Sequence, residues 1–298
     1  MTLVDVINLF DTDEKCRELL VRLRWPNEVE CPRCKMPAVE LATAKQLFYC
    51  KGCDYQFSVT TGTVFNDSHL ALQKWFLATL LLCEAKKGMS AMQIKRTLGV
   101  SYKTAWYLCH RIRSAMTEVH KMLDGTIEVD EMYVGGRVRG KGQGPRRGDK
   151  QVVIGIIKRD GELKFVHVHA ATSATIRYVM QQHVSEDVDV IVTDESTLYA
   201  SGLTKTQSPK RKTVHHKSEE YVRYEDNFMV TTNTIESAFS LFKRGVIGSW
   251  HRVSPKHLAS YLNEMTFRFN RRKSHTLFLD TLRHMVTAPV LTFERLTA

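Results

Sequence analysis

The sequence predicts an α/β protein in three parts: a small ribbon held by cysteines, a helical unit, and a mixed sheet with helices packed on it. Three observations carry this expectation. Two Cys-x-x-Cys pairs lie near the start, helix-like segments joined by glycine turns run from His69 to Glu118, and strand-like runs dominate after Gly125. They place the ribbon in 1–66, the helical unit in 67–122, and the sheet domain with a C-terminal helix in 123–298.

At 298 residues the chain has room for two or three units of about 100 to 200 residues each. A hydrophobic fraction of 43% and a charged fraction of 25% belong to a chain that buries a core, which excludes a wholly disordered protein. The formal net charge of +11 favours a polyanionic partner, nucleic acid first, because cationic side chains displace the counterions of phosphate; a solubilising surface is the plainer alternative. No basic segment followed by an apolar stretch and a cleavage site opens the sequence, and no run of about 18 apolar residues interrupts it. A soluble cytoplasmic protein with no membrane partner is therefore expected.

Four of the seven cysteines, Cys31, Cys34, Cys50 and Cys53, form two C-x-x-C units with fifteen residues between them. Each short turn aims two sulfurs at one ion, so the spacing is that of a four-thiolate zinc site. Four sulfurs close the coordination shell, which makes the expected Zn2+ structural. Residues 47–49 and 55–59 read as the ribbon's short strands. The scattered Cys16, Cys83 and Cys109 argue against a disulfide framework and for a reducing compartment.

From His69 to about Lys87 the residues Leu70, Leu72, Trp75, Phe76, Thr79, Leu80 and Leu82 recur largely with helical spacing, after Ser68 as a cap. A second helix over 91–98 and a third from Tyr102 to about Glu118 are joined by Gly99-Val100-Ser101, the pattern of a helix-turn-helix. In that reading Ser101, Tyr102, Lys103 and Thr104 face DNA from the start of the third helix, with Arg111 and Arg113 further along. An ordinary three-helix packing unit fits the same spacing.

Residues 126–134 alternate apolar with polar and carry Asp130 in the middle of a strand. Two more strand-like runs, 152–157 and 165–168, follow across a hairpin turn at 159–162, and a helix over 174–183 leads to 188–194. This last run is almost all β-branched, as a strand buried on both faces is, and it ends in Asp194. The segment 233–243 is helical, with Ile235, Phe239 and Phe242 on one face and Thr232 or Asn233 as cap. Glu236 and Lys243 are seven residues apart, within about 20° of two full turns, so they share a face.

A strand aspartate, a strand-end aspartate and a helix glutamate in this order match a ribonuclease-H-like fold. Taken alone, each acid reads equally well as a solvated or capping residue. Together at about 4 Å they would repel by roughly 4 kcal/mol per pair at an effective dielectric near 20, so their convergence calls for cations. Two Mg2+ or Mn2+ ions bound by Asp130, Asp194 and Glu236 meet that need and suit phosphoryl transfer on DNA.

Three basic clusters supply further candidate contacts. The loop 135–150 carries Arg137, Arg139, Lys141, Arg146 and Arg147 among glycines, which reads as a mobile DNA-binding loop or a plain flexible connector. Lys205, Lys210, Arg211, Lys212, His215, His216 and Lys217 follow Asp194, and Arg268, Arg271, Arg272 and Lys273 end the helix begun near Pro255. Lys243 and Arg244 are the stronger candidates, since Lys243 lies on the Glu236 face.

The segments CPRC with CKGC, QFSVTTGTVF, LQKWF, IEVDEMYVGG, VIVTDES and NTIESAFSLFKRG, followed by GSWHRVSPKHLASYLNEMTFRFNRR, together resemble the IS1595 family of insertion-sequence transposases. The resemblance covers nearly the whole chain. It implies a DDE transposase with an ISXO2-like catalytic domain, which binds terminal inverted repeats and performs metal-dependent strand cleavage and strand transfer. It carries the family's two aspartates onto Asp130 and Asp194, its third acidic position onto Glu236 and its following lysine onto Lys243. Thr231 stands where the family pattern suggests histidine. Double-stranded DNA and at least a homodimer on two DNA ends are the implied partners, with action at the bacterial nucleoid. Two rivals remain at this point: a zinc-ribbon helix-turn-helix regulator, which leaves the three acids unexplained, and a ribonuclease-H-like nuclease without strand transfer.

Overall fold

The computed structural model describes residues 1–41, 46–117, 121–135, 150–215 and 222–298. The chain divides into two compact units, one of Met1–Thr117 with Arg271–Ala298 and one of Glu118–Asn270.

Two helices, α1 (Leu3–Leu9) and α2 (Asp13–Arg24), open the first unit on threonine caps: Thr2 accepts from the Asp5 N–H and Thr12 from the Lys15 N–H. Next come β1 (Val39–Glu40), β2 (Phe48–Cys50) and β3 (Tyr55–Phe57), an antiparallel ribbon in that order. Its own core is thin, and Trp25 at the end of α2 fills it, meeting the rings of Phe48 and Phe57 edge-on at 5.4 and 6.0 Å.

Three more helices follow: α3 (Leu72–Glu84), α4 (Ala91–Leu98) and α5 (Tyr102–Ala115). The first starts later than its periodicity predicts. Ser68 is drawn away by the Leu70 N–H and the Trp75 indole, and the Leu72 N–H is capped instead by the Asp13 carboxylate of α2 at 2.9 Å. The turn between α4 and α5 follows the sequence pattern. Gly99 ends α4 in the left-handed region at φ 64°, and the Ser101 hydroxyl accepts from the Thr104 N–H to open α5.

The second unit is built on a five-stranded sheet. Its strands are β4 (Thr126–Val134), β5 (Gln151–Lys158), β6 (Leu163–Val168), β7 (Val190–Asp194) and β8 (Arg211–Val214), in the order β6-β5-β4-β7-β8. The first three are antiparallel neighbours, and β7 and β8 run parallel to β4. Between them lie α6 (Ser173–His183) and α7 (Thr197–Gly202); after them come the hairpin β9 (Arg223–Glu225) and β10 (Phe228–Val230), then α8 (Asn233–Gly245) and α9 (Pro255–Asn270).

Both faces of this sheet are covered, which accounts for the almost uninterrupted apolar runs of β5 and β7. Ile127, Val129, Ile154 and Ile156 pack with α6 and Tyr199 of α7, whereas Met132, Val153, Ile157 and Phe165 pack with Ile235, Phe239 and Phe242 of α8 and with α9. By the alternation of β4, Glu128 and Asp130 share the α8 face with Met132. Gly155, paired across from Asp130, lets α8 come close: a Cβ there would lie 2.6 Å from Phe239 Cζ and 2.7 Å from Ile235 Cδ1.

The sequence reading assigns 123–298 to one domain, but residues 271–298 pack with the first unit. Helix α10 (Leu277–Thr287) sets Phe278 edge-on to Phe76 at 6.0 Å, and Thr281 bonds Cys83. Before α11 (Phe293–Thr297), the Leu291 carbonyl accepts from the Tyr107 hydroxyl at 2.6 Å. The periodicity of α10 marks a buried face without saying which unit buries it.

Candidate functional site

Asp130 and Asp194 sit on neighbouring parallel strands. The register pairs Glu128 of β4 with Val192 of β7, and Asp130 and Asp194 each stand two residues further along their strands. Each carboxylate is held by a local amide: Asp130 Oδ1 accepts from the Glu131 N–H at 2.8 Å, and Asp194 Oδ1 from the Ser196 N–H at 3.0 Å.

Glu236 occupies the first turn of α8, where its Oε1 accepts from the Thr232 hydroxyl at 2.9 Å. Its charge reaches Asp130. Burial pushes the Asp130 carboxyl up to about 7 against the Glu131 N–H, and the charges of Glu131, Asp194 and Glu236 push it the same way. Asp194 and Glu236 thus lie near enough for their charges to act on Asp130, and Glu131 adds a fourth charge from the opposite face of β4. There it accepts from the buried Tyr199 hydroxyl at 2.5 Å. Burial, and then the Glu131 charge, hold the Tyr199 phenol well above its ordinary range.

A buried carboxyl raised first by burial and then by its acidic neighbours suits a cation, which restores the ionised form. Among the described residues the four cysteines are the one group of three or more ligating side chains whose donor atoms lie within 4.8 Å of one another. The carboxylates are spread more widely. Lys243 and Arg244 are exposed on the last turn of α8, and Lys243 lies on the Glu236 side.

Three residues to which the sequence reading gave no part in the site hold this arrangement. The Glu128 carboxylate, 0% exposed, accepts from Arg159 and from the first turn of α8. Arg211, grouped by sequence with a basic cluster, instead ties down the end of β7: its guanidinium donates to Thr193 Oγ1 and to the Asp194 and Ser196 carbonyls at 2.9 to 3.0 Å. Only the position of Glu128 in the alternation of 126–134, on the Asp130 face, signals its part in advance.

The four thiols of the ribbon are brought together. Cys31 and Cys53 sulfurs are 3.7 Å apart, Cys34 and Cys50 sulfurs 3.4 Å, and none is disulfide-bonded. A tetrahedral ion with bonds of about 2.3 Å places its sulfurs about 3.8 Å apart. Against burial, which raises it, the backbone N–H groups of Cys34 and Arg33 bring the Cys31 thiol down to about 7, favouring the thiolate that a metal needs.

The DNA candidates divide. Ser101, Tyr102, Lys103 and Thr104 are exposed at the start of α5, with the Lys103 ammonium over the Phe293 ring at 4.4 Å. Arg111 and Arg113 are 3% and 1% exposed and leave the set. Arg111 is spent on its own unit, donating to the Asn66 carbonyl at 2.5 Å and lying over the Trp75 and Tyr107 rings. Arg268 is likewise buried and paired with Glu264 at 3.0 Å. Arg137, Arg139, Lys141, Arg146 and Arg147, with His216 and Lys217, lie outside the described residues. No helix among the described residues is long and apolar enough to cross a membrane.

Comparison with known proteins agrees with this division of the chain. Residues 122–270 match the model of the ISXO2-like transposase domain, and residues 11–56 match that of the transposase zinc-ribbon domain. A protein of Halobacterium salinarum, described as an uncharacterized protein in transposable element ISH50, is 32% identical over 281 residues, covering 88% of this chain and 92% of its own.

Proposed function

Because this chain belongs to the transposases that carry the ISXO2-like domain, we propose that it binds the terminal inverted repeats of an insertion sequence and cuts and joins DNA through Asp130, Asp194 and Glu236. The observation that carries the reading is the placement of Asp130 and Asp194 on neighbouring parallel strands, with Glu236 on the first turn of α8, near enough for both charges to act on the buried Asp130 carboxyl. The sheet order β6-β5-β4-β7-β8, with three antiparallel strands and two parallel ones, supports a ribonuclease-H-like fold for this domain.

Asp130, Asp194 and Glu236 would hold two divalent ions, Mg2+ or Mn2+, which when bound activate the attacking water or 3′-hydroxyl and stabilise the leaving oxygen. Asp130 and Asp194 present their carboxylates from adjacent strand positions, and Glu236 closes the site from the helix. Lys243, two turns on, holds the phosphate beside the scissile bond, with Arg244 on the neighbouring one. Cys31, Cys34, Cys50 and Cys53 bind one structural Zn2+. We assign the ribbon to 1–66, a helix-turn-helix to 67–122 with 271–298 packed on it, and the catalytic part to 123–270. Ser101, Tyr102, Lys103 and Thr104 form the DNA-facing end of α5. Joining two ends requires at least two copies of the chain.

The test is incubation of the purified protein with labelled terminal-repeat duplex, a target plasmid and Mg2+. Nicked ends and joined product, both absent in Asp130→Ala and Asp194→Ala, are expected. Nicking without joining would leave a nuclease, and binding without nicking a regulator; either result overturns the proposal.

A further inference from the structure

At the start of helix α8 the Thr231 hydroxyl accepts from the Asn233 N–H at 3.2 Å, and the next amides are met from elsewhere. Thr232 occupies the cap position, yet its side chain makes no capping bond and turns instead to the Glu236 carboxylate at 2.9 Å. The acceptor for those amides comes from β4, 106 residues away. Glu128 Oε2 accepts from the N–H groups of Thr234 and Ile235 at 2.9 and 3.0 Å, and Glu128 Oε1 from the Thr234 hydroxyl and Arg159 Nε, both at 3.0 Å. Those amides would otherwise be unsatisfied donors at the positive end of the helix dipole, where an anionic acceptor is most favourable.

Arg159 fastens the approach to the helix as well. Its Nη1 donates to the Met229 carbonyl at 2.6 Å and its Nη2 to the Thr231 carbonyl at 3.0 Å, while its Nε holds Glu128. One guanidinium therefore ties the strand carboxylate to the chain that enters α8. The planar fork of arginine makes three such bonds at fixed angles, which the point charge of lysine does not.

Glu128 stands two residues before Asp130 on one face of β4, and its amide partners Thr234 and Ile235 stand immediately before Glu236. A rigid link of a few bonds thus joins the two acids that come from different elements. We infer that Glu128 and Arg159 are positioning residues that fix Glu236 against Asp130 and so set the metal affinity of the carboxylate site. The inference rests on the proposed role of Asp130, Asp194 and Glu236. The pair acts by holding the helix.

The experiment measures Mn2+ binding by electron paramagnetic resonance and calorimetry on the full zinc-loaded chain, beside far-UV circular dichroism and terminal-repeat gel shifts. The wild type, Glu128→Gln, Arg159→Lys and Asp130→Ala are compared. Glutamine keeps the volume of Glu128 but accepts through one oxygen only, and loss of such a supporting partner weakens a metal site by about 10- to 100-fold. We expect Mn2+ binding to weaken by that factor in Glu128→Gln, and to a smaller extent in Arg159→Lys, with helix content and gel shift unchanged. Wild-type Mn2+ affinity in a folded Glu128→Gln overturns the inference, because a purely structural carboxylate would lower thermal stability and leave the affinity alone. Should Glu128→Gln fail to fold, Arg159→Lys decides by the same criterion. A wild type that binds no Mn2+, or an Asp130→Ala that binds it normally, overturns instead the reading of the carboxylates on which the inference stands.

Discussion

Gly155→Ala tests how closely α8 must approach the sheet. The new methyl would meet Phe239 Cζ at 2.6 Å and Ile235 Cδ1 at 2.7 Å, where carbon atoms rest about 3.5 to 4.0 Å apart. Neither side chain has room to turn aside: Ile235 and Phe239 are 0% and 4% exposed, and Phe239 is stacked on Phe165 at 5.4 Å. The helix itself must therefore retreat by about 1 Å, carrying Glu236 with it. Overpacking of this kind costs about 1 to 3 kcal/mol, which lowers the Tm of a unit of this size by about 2 to 12 °C. A displacement of about 1 Å at a reacting centre lowers the rate by about 100-fold. Differential scanning fluorimetry and Mg2+-dependent nicking of terminal-repeat duplex measure the two effects. A variant with unchanged Tm and nicking within about twofold of the wild type would refute the reasoning. A lowered Tm with an unchanged rate would refute only the link to Glu236.

Other expectations follow from the same geometry. Lys243→Glu, on the exposed face of α8, is expected to slow nicking by at least about 10-fold and to change stability by no more than about 0.5 kcal/mol, measured by nicking and thermal melts. Arg111→Ala removes a buried guanidinium with a carbonyl and two rings as partners. It is expected to cost about 2 to 4 kcal/mol of stability in denaturant melts and to leave the salt dependence of DNA binding by the remaining folded protein unchanged. Cys31→Ser is expected to release the zinc and unfold the ribbon around Trp25, read by metal analysis and by tryptophan fluorescence.

The elements were legible in the sequence where local chemistry fixes them. Gly99 and Ser101 mark the turn between α4 and α5 because one must take a left-handed conformation and the other must cap a helix. The β-branched run ending in Asp194 becomes a strand buried on both sides, and the turn predicted at 159–162 falls between β5 and β6. The facing of Glu236 and Lys243 follows from helical period alone.

What was hidden depends on partners distant in sequence. Ser68 reads as the cap until Asp13, 59 residues before Leu72, proves to hold the Leu72 N–H. Arg111 and Arg113 look like basic contacts until packing buries them. Arg211 reads as part of a cationic cluster, yet its bonds run to the strand that carries Asp194. Glu128 illustrates the same limit in the site itself: the alternation of β4 gives its face, and only the folded chain shows that it caps a helix 106 residues later.

The central claim is that Asp130, Asp194 and Glu236 form one two-ion site for phosphoryl transfer on DNA. Anomalous diffraction from crystals grown with a terminal-repeat duplex and Mn2+ tests it most directly. The account predicts two manganese peaks about 3.5 to 4 Å apart, each in contact with at least one of these three carboxylates. Manganese bound elsewhere, with the three carboxylates free of it, would contradict the account.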